Sequence, residues 1–127
     1  MDLAAARTAV KNRLATISGL TAYDTVPGSP QVPCVIVRPE LIDLSAVFDV
    51  GPADVRFALQ VLVQLSDWAS AQNALDAYIS TGTSTSIADA FNAGAPNAAV
   101  LTADGYGHVD YGEVTFACVT FHVVVLA

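Results

Sequence analysis

The side chains able to do acid–base, nucleophilic or metal chemistry are few in this chain. There are two histidines, His108 and His122, and two cysteines, Cys34 and Cys118. A turn at residues 110–112 sets His108 near Val114 and His122 near Val100 on paired strands. The imidazoles then stand many residues apart along the hairpin, so neither a shared metal site nor a Cys118–histidine nucleophile pair is expected. Both cysteines lie in apolar segments and read as buried small hydrophobes, not as a disulfide. Gly105-Tyr106-Gly107 permits a bend or bulge, and two glycines do not make a phosphate cradle. The sequence has no P-loop, Gly-x-Gly-x-x-Gly, Gly-x-Ser-x-Gly, Cys-x-x-Cys or His-Glu-x-x-His motif. No catalytic residue, metal or cofactor is therefore expected. An enzyme or small-molecule-binding domain would need a pocket lined by residues 106–111 beside an acid.

The carboxylates are more telling in their placement. Asp43 and Asp49 share the polar face of one strand-like run, and Asp54 lies at the turn that follows, with Arg56 just beyond. Asp104, Asp110 and Glu113 crowd a second hairpin. Paired carboxylates can serve acid–base chemistry, but these lack a companion base, nucleophile or metal. The plain reading is a set of solvated strand faces. The functional reading is that copies of Asp43, Asp49, Asp54 and Arg56, repeated around a ring, line a negative inner wall or a hairpin interface.

Twelve acidic residues against five basic ones give a net charge of −7. Such a surface repels phosphate and argues against gripping nucleic acid through its backbone. It does not exclude a wall past which DNA slides. Apolar residues make up 54% and charged residues only 13%, against roughly 25% charged in an average domain. Mean hydropathy is +0.52. A single domain of 127 residues cannot hide all of that surface in its own core, so part is expected in a partner interface. Cheap alanine is the bland alternative. No run approaches the roughly 18 apolar residues of a membrane span. No cationic stretch followed by an apolar one marks a signal peptide, so a cytoplasmic setting is the default expectation.

The elements that must position these residues follow from periodicity. Leu3, Ala6, Val10, Leu14 and Ile17 draw one helical stripe over residues 3–17, with Asp2 as cap and Gly19 as left-handed stop. Arg7, Lys11 and Arg13 lie off that stripe. They form the only basic element, a solvated face or a docking face for an acidic partner. Residues 23–33, with Pro27, Pro30 and Pro33, read as an irregular loop or short edge strand. Residues 34–37 are continuously apolar, as in a strand covered on both faces, and Arg38-Pro39 closes it. Residues 41–50 and 55–65 alternate strictly around a Gly51–Asp54 turn, which predicts a long β-hairpin. Each arm of about ten residues spans roughly 33 Å, so the tip is expected to project.

Residues 67–81 read as a second helix, capped by Ser66 or Asp67 and ended at Gly82. Trp68 is expected to plug the core at its first turn, with an interface anchor as the sharper alternative. Ser86 and Asp89 suggest a capping box for a short helix ending at Gly94. Residues 98–109 and 113–126 read as a closing strand pair. In the latter, Val114, Phe116 and Cys118 alternate in one phase and Val119, Phe121, Val123 and Val125 in the other, which predicts a β-bulge at Cys118/Val119. The expected class is α+β: a mainly antiparallel sheet with a long β-hairpin, and an N-terminal helix and two central helices packed on it.

One family shares this order of features. The helix ending Leu14-Ala-Thr-Ile-Ser-Gly-Leu20 leads into Tyr23-Asp-Thr-Val-Pro-Gly-Ser-Pro30. An apolar strand ends near Val37, Arg38 and Pro39, and a hairpin arm runs from Val55 through Arg56, Phe57 and Leu59 to Gln64 and Leu65. The helical segment Ser70-Ala-Gln-Asn-Ala-Leu-Asp76 precedes a last strand ending Val123, Val124, Val125, Leu126 and Ala127. Over essentially the whole chain this resembles the tail terminator and head–tail connector proteins of siphophages, especially those infecting actinobacteria. The resemblance rests on elements and turns, so no functional residue is carried over. It implies an α+β subunit of a virion, in the tail or neck, assembled in the host cytoplasm as a homo-oligomeric, hexameric ring. Such a ring caps the tail tube, stops its polymerisation and meets head–tail connector proteins, while DNA passes through the lumen without specific binding. Its implied partners are copies of itself, the tail-tube protein and the connectors, and no membrane.

Overall fold

The structure is a computed structural model that describes residues 3–43, 54–92 and 98–126. Its elements run α1 (Leu3–Leu14), β1 (Thr21–Tyr23), β2 (Cys34–Asp43), β3 (Asp54–Gln64), α2 (Trp68–Ile79), α3 (Ile87–Asn92), β4 (Ala98–Tyr111) and β5 (Val114–Leu126). The protein is α+β, with a mixed sheet and three helices among the described residues. The strand order is β1-β2-β3-β5-β4. The pair β1–β2 is parallel, and β2–β3, β3–β5 and β4–β5 are antiparallel. The helices lie on one side, with α1 against β1 and β2, α2 against β3 and β5, and α3 against β4.

Strict alternation along the two central strands builds the main core. Val55, Phe57, Leu59, Val61 and Val63 of β3 meet Ala117, Val119, Phe121, Val123 and Val125 of β5. Onto this layer α1 lays Ala6, Val10 and Leu14, and α2 lays Ala71, Leu75 and Tyr78. Each large aliphatic or aromatic side chain fully withdrawn from water here contributes about 1.5–3 kcal/mol.

Most of the predicted elements are present, with α2 ending at Ile79 instead of 81 and with the following corrections. First, α1 ends at Leu14, three residues short of expectation. The chain then tightens, with Thr16 N–H bonding Arg13 O at 3.2 Å and Ile17 N–H bonding Leu14 O at 3.0 Å, the shorter-range pattern usual at a helix end. Ile17 is still buried, and Gly19, at φ +82°, turns the chain toward β1. The Asp2 cap lies outside the described residues.

Second, Arg38-Pro39 does not close a strand. β2 runs straight through it, with a register shift between Pro39 and Leu41. β1 pairs only with Cys34–Ile36, so beyond that point β2 has an unpaired side. A proline there removes no ladder bond, and Glu40 is absorbed as a bulge. The β2–β3 ladder pairs residues 55–62 with residues 34–42 and ends at Asp43 opposite Asp54. The expected hairpin, with residues 41–50 folded back on 55–65 about a turn at 51–54, is therefore not the pairing formed; residues 44–53 lie outside the described residues.

Third, β5 carries no bulge at Cys118/Val119, because its register with β3 is unbroken from Phe116 to Leu126. The bulges belong to its neighbour β4, between Val100 and Thr102 and between Asp104 and Gly107. The apparent phase change has another cause. At one end of the sheet the face away from the helices is also covered, so Phe116 and Cys118 are buried with Cys34, Ile36 and Leu62. Tyr23, Val32, Val109 and Tyr111 pack around them, with the 23–33 loop supplying part of the cover. Fourth, Trp68 does not plug the core. It is 53% exposed.

Capping follows the sequence more closely. Asp67 caps α2 by accepting from Ser70 N–H at 2.8 Å, and this bond holds its carboxyl below the usual range. Ser86 caps α3, accepting from Asp89 N–H at 3.2 Å. Asp89 does not complete the reciprocal box, since its carboxylate accepts from Gly82 N–H at 2.6 Å. The expected end at Gly94 lies outside the described residues.

Candidate functional site

Two places gather polar or aromatic side chains that the core does not explain. The first is the sheet face turned away from the helices. There the even-numbered positions of β3 and β5 come forward beside the bulge of β2. Arg38 Nη2 donates to Gln60 Oε1 and to Tyr111 OH, both at 2.6 Å, and Tyr111 OH donates to the same Gln60 Oε1 at 2.7 Å. This triangle sits at the rim of the small apolar cluster that contains Tyr111.

Next to it, His122 on β5 stands between two carboxylates. Its Nδ1 is 2.8 Å from Glu40 Oε2 and its Nε2 is 2.9 Å from Asp104 Oδ1. Both ring nitrogens face acceptors, an arrangement that suits the doubly protonated ring. The hydrogen bonds that the ring donates to Glu40 and then to Asp104 raise the His122 pKa above its ordinary 6.5, outweighing the opposing effect of burial. The strand order puts Glu40 on β2, His122 on β5 and Asp104 on β4, so the imidazole ties β2 to β4 across the sheet. The carboxylates lie on opposite ring edges and cannot converge on one cation. Among the described residues no group of three His, Cys, Asp or Glu is arranged to hold a metal.

The second place is a cleft on the helical side, between α2 and the edge strand β4. It has a volume of about 310 Å³ and is lined by Trp68, Gln72, Leu75, Tyr106 and Gly107. Trp68 and Tyr106 are each 53% exposed. The Trp68 ring meets His108 edge-on, with centroids 6.3 Å apart and an interplanar angle of 69°. Tyr106 OH donates to Asp76 Oδ1 at 3.1 Å, and desolvation followed by this bond raises the phenol pKa. The β4 bulge at residues 104–107, with Gly105 at φ +70°, is what swings Tyr106 over α2.

The residues expected from sequence fall elsewhere. Asp43 and Asp54 are opposite one another at the end of the β2–β3 ladder, although their side chains lie outside the described set, as does all of Asp49. Arg56 is exposed on the face away from the helices, opposite Val124. On α1, Arg7, Lys11 and Arg13 are half-exposed. At 3.6 residues per turn Arg7 and Lys11 share one flank of the buried stripe and Arg13 takes the other. His108 pairs with Ala117 and His122 with Thr102, not near Val114 and Val100, because two β4 bulges shift the register. The histidines remain apart, and they lie on opposite faces of the sheet.

Cys34 and Cys118 are both free and buried. Each pairs with Leu62 from opposite sides, so their Cα atoms are two strand spacings apart, about 10 Å. That exceeds the roughly 7 Å limit for a disulfide. Burial pushes the Cys34 thiol up to about 11 and raises Cys118 as well. At pH 8 a thiol reagent is expected to label neither cysteine faster than the protein unfolds, and to label both promptly in denaturant. Fast labelling of native Cys34, read by mass spectrometry, would show that the apolar cluster is open.

Comparison with protein-family models and with curated proteins finds no match. Among the described residues no helix is long and apolar enough to cross a membrane.

Proposed function

We propose that the protein is a non-catalytic structural subunit of a virion: a siphophage tail terminator that assembles as a ring. In this reading the ring, a hexamer, caps the tail tube and joins it to the head connector. The observation that carries the assembly half of the reading is the cleft flanked by Trp68 and Tyr106. Large aromatic surface is left half in water in a chain with few charges, and such surface is normally covered by a protein partner. The tail-terminator half rests on the resemblance of element order and turns. In this reading the chain around residues 43–56 faces the lumen or a neighbouring copy, and Asp43, Asp49, Asp54 and Arg56 are assigned there. A negative wall there would let DNA pass without sticking.

The test is sedimentation and electron microscopy of the purified protein, with capture of the tail-tube protein. Rings that bind the tube end are expected. A protein that stays monomeric at high concentration and captures no tail component overturns the reading. Preferential capture of the portal or connector would instead make it a different neck component. Asp43→Lys with Asp49→Lys is expected to leave folding nearly intact while slowing or trapping DNA passage, and normal infectivity of that virion would remove these residues from the lumen.

The same cleft favours one other reading, a small-molecule site, since Tyr106, Gly107 and the neighbouring Asp76 are the kind of lining that reading requires. Its volume is at the small end of ligand pockets, it is open to solvent, and His108, the nearest base, is turned against Trp68.

A further inference from the structure

The charges of the helical layer are segregated by edge. Of the five Lys and Arg residues in the chain, three are on α1, over the β1–β2 edge. The others, Arg38 and Arg56, belong to the opposite face of the sheet. At the other edge α2 and β4 carry no Lys or Arg, and beside the cleft they bring Asp76, Asp110 and the imidazole of His108. Asp76 holds Tyr106. Asp110 stands on the same side, two positions from the His108 that meets Trp68. Two aromatic faces with carboxylates at their rim make a receptor for a cationic side chain, through cation–π attraction and charge pairing. The chain carries the matching cations on the opposite edge. Positions between Arg7 and Lys11 on the outer side of α1, such as Thr8, are small, so nothing bulky prevents close approach.

We propose that the cleft between α2 and β4 receives the Arg7–Lys11 flank of α1 from a second copy of this chain. The contact is head-to-tail: each copy offers a cationic edge to one neighbour and an aromatic, acidic edge to the other. Repetition of such a contact gives a closed ring when the rotation closes. This rests on the ring reading above and assigns its subunit interface. It also accounts for the β4 edge. The bulges at residues 100–102 and 104–107 make that strand a poor template for strand addition, so side chains of the helical face carry the contact.

The test uses two charge-reversed proteins, Arg7→Glu with Lys11→Glu, and Asp76→Lys with Asp110→Lys. Each alone presents like charges across the contact, and each is expected to raise the concentration needed for assembly by about a hundredfold. Mixed together they restore assembly as alternating copies, because each now offers what the other accepts. Trp68 is the only tryptophan, so its emission reports cover of the cleft and should shift to the blue on mixing but not in either protein alone. If the reversed cleft fails to fold by thermal melting, Asp76→Asn with Asp110→Asn replaces it, and weakened assembly is again expected. Rings that form equally well from either variant, or a folded mixture that stays apart, overturn the assignment while leaving the ring itself standing. A wild-type protein that never assembles overturns the ring reading and this contact with it.

Discussion

Leu62→Ala is expected to destabilise the protein by about 3 kcal/mol, as much as Leu59→Ala three positions earlier. On a strand with one wet face this would be surprising. Leu59 points to the helices, whereas Leu62 is on the alternate phase with Arg56, Ala58, Gln60 and Gln64. Both leucines are nevertheless completely buried. Leu62 sits between Cys34 and Cys118 in the second cluster, beneath Tyr23, Val32 and Phe116. Removing its branched end leaves a cavity that strands on both sides hold open, so little collapse can offset the loss. Arg56→Ala, on the same face but exposed, is the control, and it is expected to change stability by less than about 0.5 kcal/mol. Urea unfolding of the three variants decides the matter. A Leu62→Ala cost as small as that of Arg56→Ala would mean that the loop at residues 23–33 does not cover the sheet.

The same two-sided burial explains which parts of the fold could be read from residue order. Where a strand has one dry face, as at β3 from Val55 to Gln60, alternation located it correctly. Where the second face is also covered, as at Phe116 to Val119, four consecutive buried residues imitate a change of phase. Residue order therefore points to a bulge in β5, whereas the bulges lie in β4. The break expected at Arg38-Pro39 failed for a related reason. Proline ends a strand only when its N–H is needed, and β1 is too short to need it at that point. The N-cap signals at Asp67 and Ser86 transferred well because the chemistry involved spans only a few residues, whereas Gly19 and Gly82 turn the chain at positive φ only after α1 has ended at Leu14 and α2 at Ile79.

The candidate site was less legible, because it is built from distant segments. Glu40, Asp104 and His122 are 82 and 18 positions apart in the two contacts, and no spacing rule links them. The triangle of Arg38, Gln60 and Tyr111 spans up to 73 positions. One signal was present in the sequence: Gln60 and His122 are polar residues at mid-strand positions among apolar neighbours. Such residues need partners, but strand order decides which partners they meet. Trp68 misled for the opposite reason. It continues the apolar stripe of α2, yet it belongs to the first turn, where the helix extends past the sheet core toward the β4 edge.

Raising the pH through the His122 titration is expected to weaken the folded state, by on the order of 1 kcal/mol in all for a partly exposed pair of contacts. The direction follows from linkage. The folded-state pKa of His122 is raised above its ordinary 6.5 by Glu40 and Asp104. The folded protein therefore holds this proton more tightly than the unfolded chain. The resulting stabilisation is fully present below pH 6.5. It declines as pH rises toward the folded-state value, and above that value it is gone. Once neutral, the ring can donate from only one nitrogen, so one carboxylate loses its partner and β2 or β4 loses its tie to β5. Across the other neighbour His122 faces only Ala58, which has no charge to take over. His122→Gln keeps one donor but cannot titrate there, so over the same interval it is expected to keep only the shallower fall that the two buried thiols give near pH 8.5. Urea midpoints of both proteins at pH 6 and pH 8.5 give the comparison. A wild-type slope equal to that of His122→Gln would show that the imidazole does not bridge the two carboxylates in solution. Because the bridge links strands on both sides of β3, its loss should first appear as faster amide exchange in β4, the strand that has no neighbour beyond it.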